Sequence, residues 1–380
     1  MIGVNCLGGC GTLPDSYALM HDRRMYRRHF KVVSSQGPLS ASESKLIIKN
    51  LEARSGKTDI FGRHLAFEQA ISGSPLMLGN QVTLLENGAD TYRAMFGAIE
   101  GATRNINLET YLFDGDKIGD KFANALIAKQ QQGVQVNIIY DGFGSMLTRG
   151  GFFKRMRGAG IQVVEFDPLN PFAAGFHWAP IHRDHRKLMI VDGTIAITGG
   201  INISGVYSSR HSLKSRNLSD RVLNSWRDTD VQVEGPAVSE FQELFVANWR
   251  NQGGAPLKVE DYFPAPDNKG DEIVRVLGSV PQDFSTIYVT LISAIRNAET
   301  NVYITDAYFA PDSQMVESLE TAARRGVDVR LLLPGKTDQP LIGPAARAHF
   351  SELLEAGVKI YLWQGQMLHA KTATIDGVWS

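Results

Sequence analysis

The sequence predicts an α/β protein made of two copies of one sheet-and-helix unit. Three observations predict it. The blocks "AMFGAIEGATRNINLETYLF", "ALIAKQQQGVQVNIIYDG", "FFKRMRGAGIQVVEF" and "HRDHRKLMIVDG" return downstream, in order, as "TLISAIRNAETNVYITDAYF", "SLETAARRGVDVRLLLPG", "HFSELLEAGVKIYLW" and "MLHAKTATIDG". The punctuating glycines match: Gly133 with Gly326, Gly160 with Gly357, Gly193 with Gly377. Each of the first three blocks sets a helical pattern before a short β-branched or apolar run, which argues helices on the faces of a sheet. The expected strands are 106–112, 134–140 and 161–166 in the first copy, and 302–309, 327–333 and 358–363 in the second. Two copies imply a duplication and a pseudo-two-fold double domain.

The chain has 380 residues, 43% hydrophobic and 21% charged, enough for two domains with cores of their own. The expected division is an N-terminal arm (1–73), a first repeat (74–270) and a second repeat (271–380). A net charge of −1 argues against a dedicated nucleic-acid binder. The two cysteines, Cys6 and Cys10, allow no disulfide framework or Cys-based zinc site in the body of the protein. No stretch reaches the ~18 apolar residues of a membrane-spanning helix.

In the arm, Leu7-Gly8-Gly9-Cys10 resembles the lipobox where bacterial lipoproteins are acylated, although no charged and apolar regions precede it. Either the true start lies upstream or the match is chance. Arg23, Arg24, Arg27, Arg28 and Lys31 fall at helical spacing, which suits anionic lipid headgroups or a solvated helix face. Residues 34–60 read as a linker or loosely packed arm. Gly56-Lys57-Thr58 is no phosphate loop, because Leu51 stands where its first glycine must be.

The last block carries the chemistry. Both copies share His-x-Lys, four residues, then Asp: His185, Lys187, Asp192 and His369, Lys371, Asp376. His182, Asp184 and Arg186 have no counterparts, so a metal site on the two histidines of "HRDH" is not expected. Residues two apart on a strand share a face, so each His points with its Lys. The Asp-Gly between apolar runs signals a hairpin. Asp192 and Asp376 either join the catalytic set or serve the turn alone. Next, Gly199 and Gly200 let backbone approach a ligand, and Asn202 supplies an amide to a phosphoryl oxygen.

Two histidines and two lysines suit a phosphodiester and require no cofactor. One imidazole attacks phosphorus, the other protonates the leaving alcohol, and the lysines stabilise the non-bridging oxygens.

The pattern His-x-Lys-x4-Asp-x6-Gly-Gly-x-Asn, from His185 to Asn202, resembles the signature of the phospholipase D superfamily. With "SPLMLGNQVTLLENG", "FDPLNP", "GGINISGVYSS", "WRDTDVQVEGPAV" and "DAYFAPD", the chain is similar to the bacterial cardiolipin synthase branch from about Ser74 to Ser380. The resemblance implies two phospholipase D-like α/β sandwich domains. It also implies transfer of a phosphatidyl group from phosphatidylglycerol to an alcohol, typically a second phosphatidylglycerol. It makes His185 the nucleophile, His369 the acid/base, and Asp228 the group that orients His185, with Asp230 competing.

The aromatic loop 166–180, with Phe172, Phe176 and Trp178, is expected either to contact lipid beside the site or to pack over the core. The second copy stops four residues after Asp376, which leaves it incomplete and Trp379 exposed. The expected partners are a phospholipid substrate and a membrane surface, not nucleic acid. The expected location is peripheral at the cell membrane, with Cys10 as a candidate anchor. The competing readings are a phosphodiesterase that hydrolyses phospholipid or nucleic acid, and a non-catalytic lipid-binding remnant.

Overall fold

A computed structural model describes residues 13–22, 25, 31–55, 58, 60–168, 183–208, 225–258, 262–279, 286–339 and 341–380. The chain divides into two units. One is Met77–Val274, the first repeat; the other joins Met1–Leu76 to Arg275–Ser380, the second repeat. The lipobox-like segment with Cys6 and Cys10, the arginines 23, 24, 27 and 28, and Phe172, Phe176 and Trp178 lie outside the described residues.

The N-terminal part opens with a small hairpin, β1 (Val32–Ser34) and β2 (Gly37–Pro38). The first repeat then lays down β3 (Leu76–Glu86), β4 (Asn105–Thr110), β5 (Gln135–Asp141), β6 (Gln162–Phe166), β7 (Lys187–Val191), β8 (Ile195–Gly199), β9 (Thr229–Glu234) and β10 (Glu272–Val274). Their order across the sheet is β3-β9-β8-β7-β4-β5-β6, and β10 adds to β3. β4, β5 and β6 are parallel, as crossover helices require; β7, β8 and β9 are antiparallel.

Both faces of this sheet are covered. Ile106, Leu108, Val136 and Ile138 bury against Met95, Ile99, Phe122, Leu126 and Met156 of the helices on one side. On the other, Ile139, Leu188 and Ile190 meet Phe245 and Trp249 of helix Val238–Asn251. β7 is buried on both faces, so it reads as the continuous run "LMIV" rather than as an alternation.

The second repeat carries β11 (Asn301–Asp306), β12 (Asp328–Pro334), β13 (Lys359–Trp363) and β14 (Lys371–Ile375), in the order β13-β12-β11-β14. β11, β12 and β13 are parallel and β14 is antiparallel to β11, which reproduces β4, β5, β6 and β7. The registers agree as well: Ile106 faces Val191, and Val302 faces Ile375.

The first strand of each copy is shorter than its apolar run suggests. β4 stops at Thr110 because Leu112 turns to bond Asn202 and Ile203. β11 stops at Asp306, whose carboxylate accepts the Tyr308 N–H at 2.9 Å and closes an Asx turn.

The stretch 34–60, expected as a linker or loosely packed arm, holds a helix, and the packed segment follows it. Residues 41–55 form a helix, a π-helical turn spans Ile60–His64, and Leu65–Ser72 is helical. Ile60 and Phe67 sit in the core of the second repeat with Val289, Ile292 and Leu319. Arg275 ties this segment down through a buried ion pair to Glu68 and a bond to Gln69 at 3.3 Å. Trp379, expected exposed, packs edge-on against His64 with centroids 5.4 Å apart. These contacts join residues more than 200 positions apart, so no local pattern foretells them.

Candidate active site

Each repeat presents the same hairpin. Asp192 and Gly193 take φ of 54° and 67°, and Asp376 and Gly377 take 54° and 68°, the left-handed pair that a type I′ turn demands. The turn hydrogen bonds are Thr194 N to Val191 O, 3.0 Å, and Val378 N to Ile375 O, 3.1 Å.

The motif aspartates are consumed at these turns. Asp192 accepts the N–H of Thr103, Arg104 and Asn105 and the Thr103 hydroxyl, all within 2.9 Å. Asp376 accepts the N–H of Glu299, Thr300 and Asn301, the Thr300 hydroxyl at 2.8 Å, and the Thr58 hydroxyl at 2.7 Å. Partial burial pushes both carboxyls up, but these donors outweigh it and hold them below the usual range. Four residues, five steps along the strand, separate each Asp from its Lys, about 16 Å at ~3.3 Å per step. Asp192 and Asp376 pin the hairpin to the start of β4 or β11.

At the other end of each hairpin stand the His and Lys. The His185 ring stacks on Tyr111, centroids 4.0 Å apart and 12° from parallel. The Lys187 ammonium donates to the His185 carbonyl at 2.6 Å and lies 5.4 Å from the Tyr111 ring centre. In the second repeat Lys371 donates to the His369 carbonyl and lies 5.3 Å from the Tyr308 ring, which meets His369 edge-on at 5.5 Å. Desolvation pulls Lys187 down to about 8, opposed by Asp184, Asp228, Asp230 and Asp141.

The glycines have another reason than a ligand. A Cβ on Gly199 would lie 2.1 Å from Asp230 Oδ1, and one on Gly200 would lie 2.1 Å from Asp228 Oδ1. Gly199 and Gly200 thus make room for two buried carboxylates. Asp230 also accepts the Ile201 N–H at 3.1 Å; burial pushes its carboxyl up to about 7. Asp228 is fully buried beside Gly200 and accepts the Thr229 N–H at 2.8 Å. Asn202 is buried, with Oδ1 accepting from Leu112 N at 3.2 Å and Nδ2 donating to the Tyr207 hydroxyl at 3.1 Å.

Sequence reasoning missed the ring partners. Tyr111 and Tyr308 differ by one place in the aligned blocks "TYLF" and "DAYF", yet each rests on its own His-x-Lys; the chain has already left the ladder there. It also missed what Asp184 and Arg186 do. They point away from His185 and join Glu109 and Asn248 beneath helix Val238–Asn251: Asn248 donates to Glu109 at 2.8 Å and to Asp184 at 3.0 Å, and Arg186 lies 3.3 Å from Glu109. Burial, then the Asp184 charge, pushes Glu109 well above the usual carboxyl range. Among the described residues, no group of three or more His, Cys, Asp or Glu is placed to hold a metal ion.

The family described as cardiolipin synthase, phospholipase D-like domain, matches residues 95–212 and 291–380, the two repeats that carry these hairpins. The chain belongs to this family. The cardiolipin synthase of Geobacillus thermodenitrificans is 33% identical over 318 residues, covering 83% of this chain and 61% of that protein. Cardiolipin synthase 1 of Bacillus anthracis is 34% identical over 317 residues, covering 81% and 60%. The chain thus spans about 60% of the length of these curated relatives. Among solved structures, a phosphatidylserine synthase of Haemophilus influenzae shares the fold, with a TM-score of 0.55 at 12% identity over 78% of this chain and 76% of that one. The matched residues include both His-x-Lys hairpins.

Proposed function

We propose that this chain carries the catalytic part of a phosphatidyltransferase of the cardiolipin synthase type. The observation that carries the reading is the repetition of one half-site: His and Lys at the start of the hairpin strand, the ammonium folded onto the His carbonyl, a tyrosine ring against both.

The donor is phosphatidylglycerol. A ring nitrogen of His185 attacks its phosphorus, and the bond from phosphorus to the glycerol oxygen breaks. His369 gives that oxygen a proton, so glycerol leaves and the phosphatidyl group stays on His185. The hydroxyl of a second phosphatidylglycerol then loses its proton to His369 and attacks phosphorus, which releases His185. Lys187 and Lys371 hold charge on the non-bridging oxygens, with the spare Asn202 amide hydrogen. Asp228 acts through His185, as an orienting group. The partners are phospholipid and a membrane surface; no described helix is long and apolar enough to cross a membrane.

The test is thin-layer analysis after incubation with labelled phosphatidylglycerol. Diphosphatidylglycerol and free glycerol are expected. Phosphatidic acid alone would make the protein a hydrolase, and no product would leave a lipid-binding module.

A further inference from the structure

We infer that the turn between β5 and the following helix, residues 142–148, is an apex that inserts into a lipid surface and seats the first half-site on it. The turn shows Phe143, Met146 and Leu147 to solvent, 47%, 56% and 88% exposed. Scattered apolar residues on a surface are ordinary; three within five positions of one turn are not.

The turn is braced in that posture. Asp141 Oδ1 accepts the N–H of Phe143 and Gly144, both at 2.9 Å. Ser145 N bonds Asp141 O, the Ser145 hydroxyl accepts from Phe113 N at 3.0 Å, and the Thr148 hydroxyl donates to Phe113 O at 2.7 Å. Leu147 is therefore held outward by a satisfied backbone, at the cost of hydrating its whole side chain.

The same bracing reaches the half-site. The second oxygen of Asp141 accepts the N–H of Asp184, next to His185, at 2.9 Å. Tyr111, stacked on His185, lies two residues before the Phe113 that Ser145 holds.

Charge selects the occupant. The helix that follows, Gly150–Gly158, exposes Lys154, Arg155 and Arg157, with Arg149 just before it. Basic residues beside an apolar tip suit an anionic bilayer, where the side chains leave water and the cations meet headgroup phosphates. The equivalent turn of the second repeat, between β12 and helix Ile342–Ala348, exposes Leu341 at 72%.

The inference rests on the phospholipid reading for its choice of probe, not for its outcome. The full chain is mixed with vesicles of phosphatidylglycerol or of phosphatidylcholine and sedimented. Leu147→Glu should weaken binding to the anionic vesicles by about ten- to a hundredfold, the worth of one buried leucine, and leave the thermal melt unchanged. In Leu147→Trp, the difference emission should shift to shorter wavelength when vesicles are added. Leu147→Glu binding like the unaltered chain, or a Trp emission that ignores bound vesicles, overturns the inference. So does a Leu147-dependent self-association without vesicle binding. If Leu147 governs vesicle binding and no diphosphatidylglycerol forms, the apex stands and the transferase reading falls.

Discussion

Asp306 stands directly across the ladder from Lys371, in the register position that Thr110 holds opposite Lys187. The two half-sites are alike in fold but not in charge. Lys187 draws on Asp184, Asp228, Asp230 and Asp141; Lys371 faces Asp306, whose carboxyl is buried and pushed up by that burial, with Lys371 pulling it down. Asp306→Asn should therefore lower kcat by about tenfold or more through loss of positioning, with KM little changed. Thr110→Ser should change neither. Equal effects of the two, measured on phosphatidylglycerol, would show that the carboxyl of Asp306 does not matter to Lys371.

Asp192→Ala is expected to cost stability before chemistry. It strips an acceptor from three N–H groups and a hydroxyl, each worth about 0.5–1.5 kcal/mol. A repeat of this size should then melt roughly 5–20 °C lower. Turnover well below the melt should survive. Loss of turnover in a variant with the native melt would return Asp192 to the catalytic set.

The same carboxylates set the acid limit. Asp192 and Asp376 are held below the usual range in the folded state, so each contributes stability that is present above its unfolded pKa, ~3.9. That contribution is lost as pH falls through the lower folded value. Acid unfolding followed by circular dichroism should steepen below about pH 4, and Asp192→Asn should flatten that arm.

The sequence made the repeated strands, the hairpins and the shared His and Lys legible because a duplication writes them twice. Two copies separate the shared His185 and His369 from the unshared Asp184 and Arg186, which turn out to serve a layer under one helix. What remained hidden depends on contacts between distant positions. Nothing near Gly200 announces the Asp228 carboxylate against it, and nothing near Thr58 announces Asp376. The tyrosines escaped because Tyr111 and Tyr308 do not align, although both reach the same place beside a His-x-Lys.

His185→Ala should abolish turnover and leave the melt unchanged, since the ring lies against Tyr111 rather than in a core cluster. A quenched reaction with labelled phosphatidylglycerol should trap phosphate on His185 in the unaltered chain. A label on serine, on aspartate or on His369 instead would refute the assignment of the nucleophile.

Gly200→Ala separates the two explanations of the glycine pair. If Gly200 exists so that backbone can approach substrate, the added methyl should harm KM and spare folding. The structure places that methyl 2.1 Å from Asp228 Oδ1, inside a site where both groups are buried. Overpacking of this kind costs about 1–3 kcal/mol, so the melt should fall. Adding Asp228→Ala removes the carboxylate that the methyl strikes. The double variant should melt higher than Gly200→Ala alone, a coupling that independent sites do not show. Its activity should stay low if Asp228 is the group proposed to orient His185. A KM raised by Gly200→Ala with the melt unchanged would mean that the glycine serves the substrate, and activity restored in the double variant would mean that Asp228 has no part in holding His185.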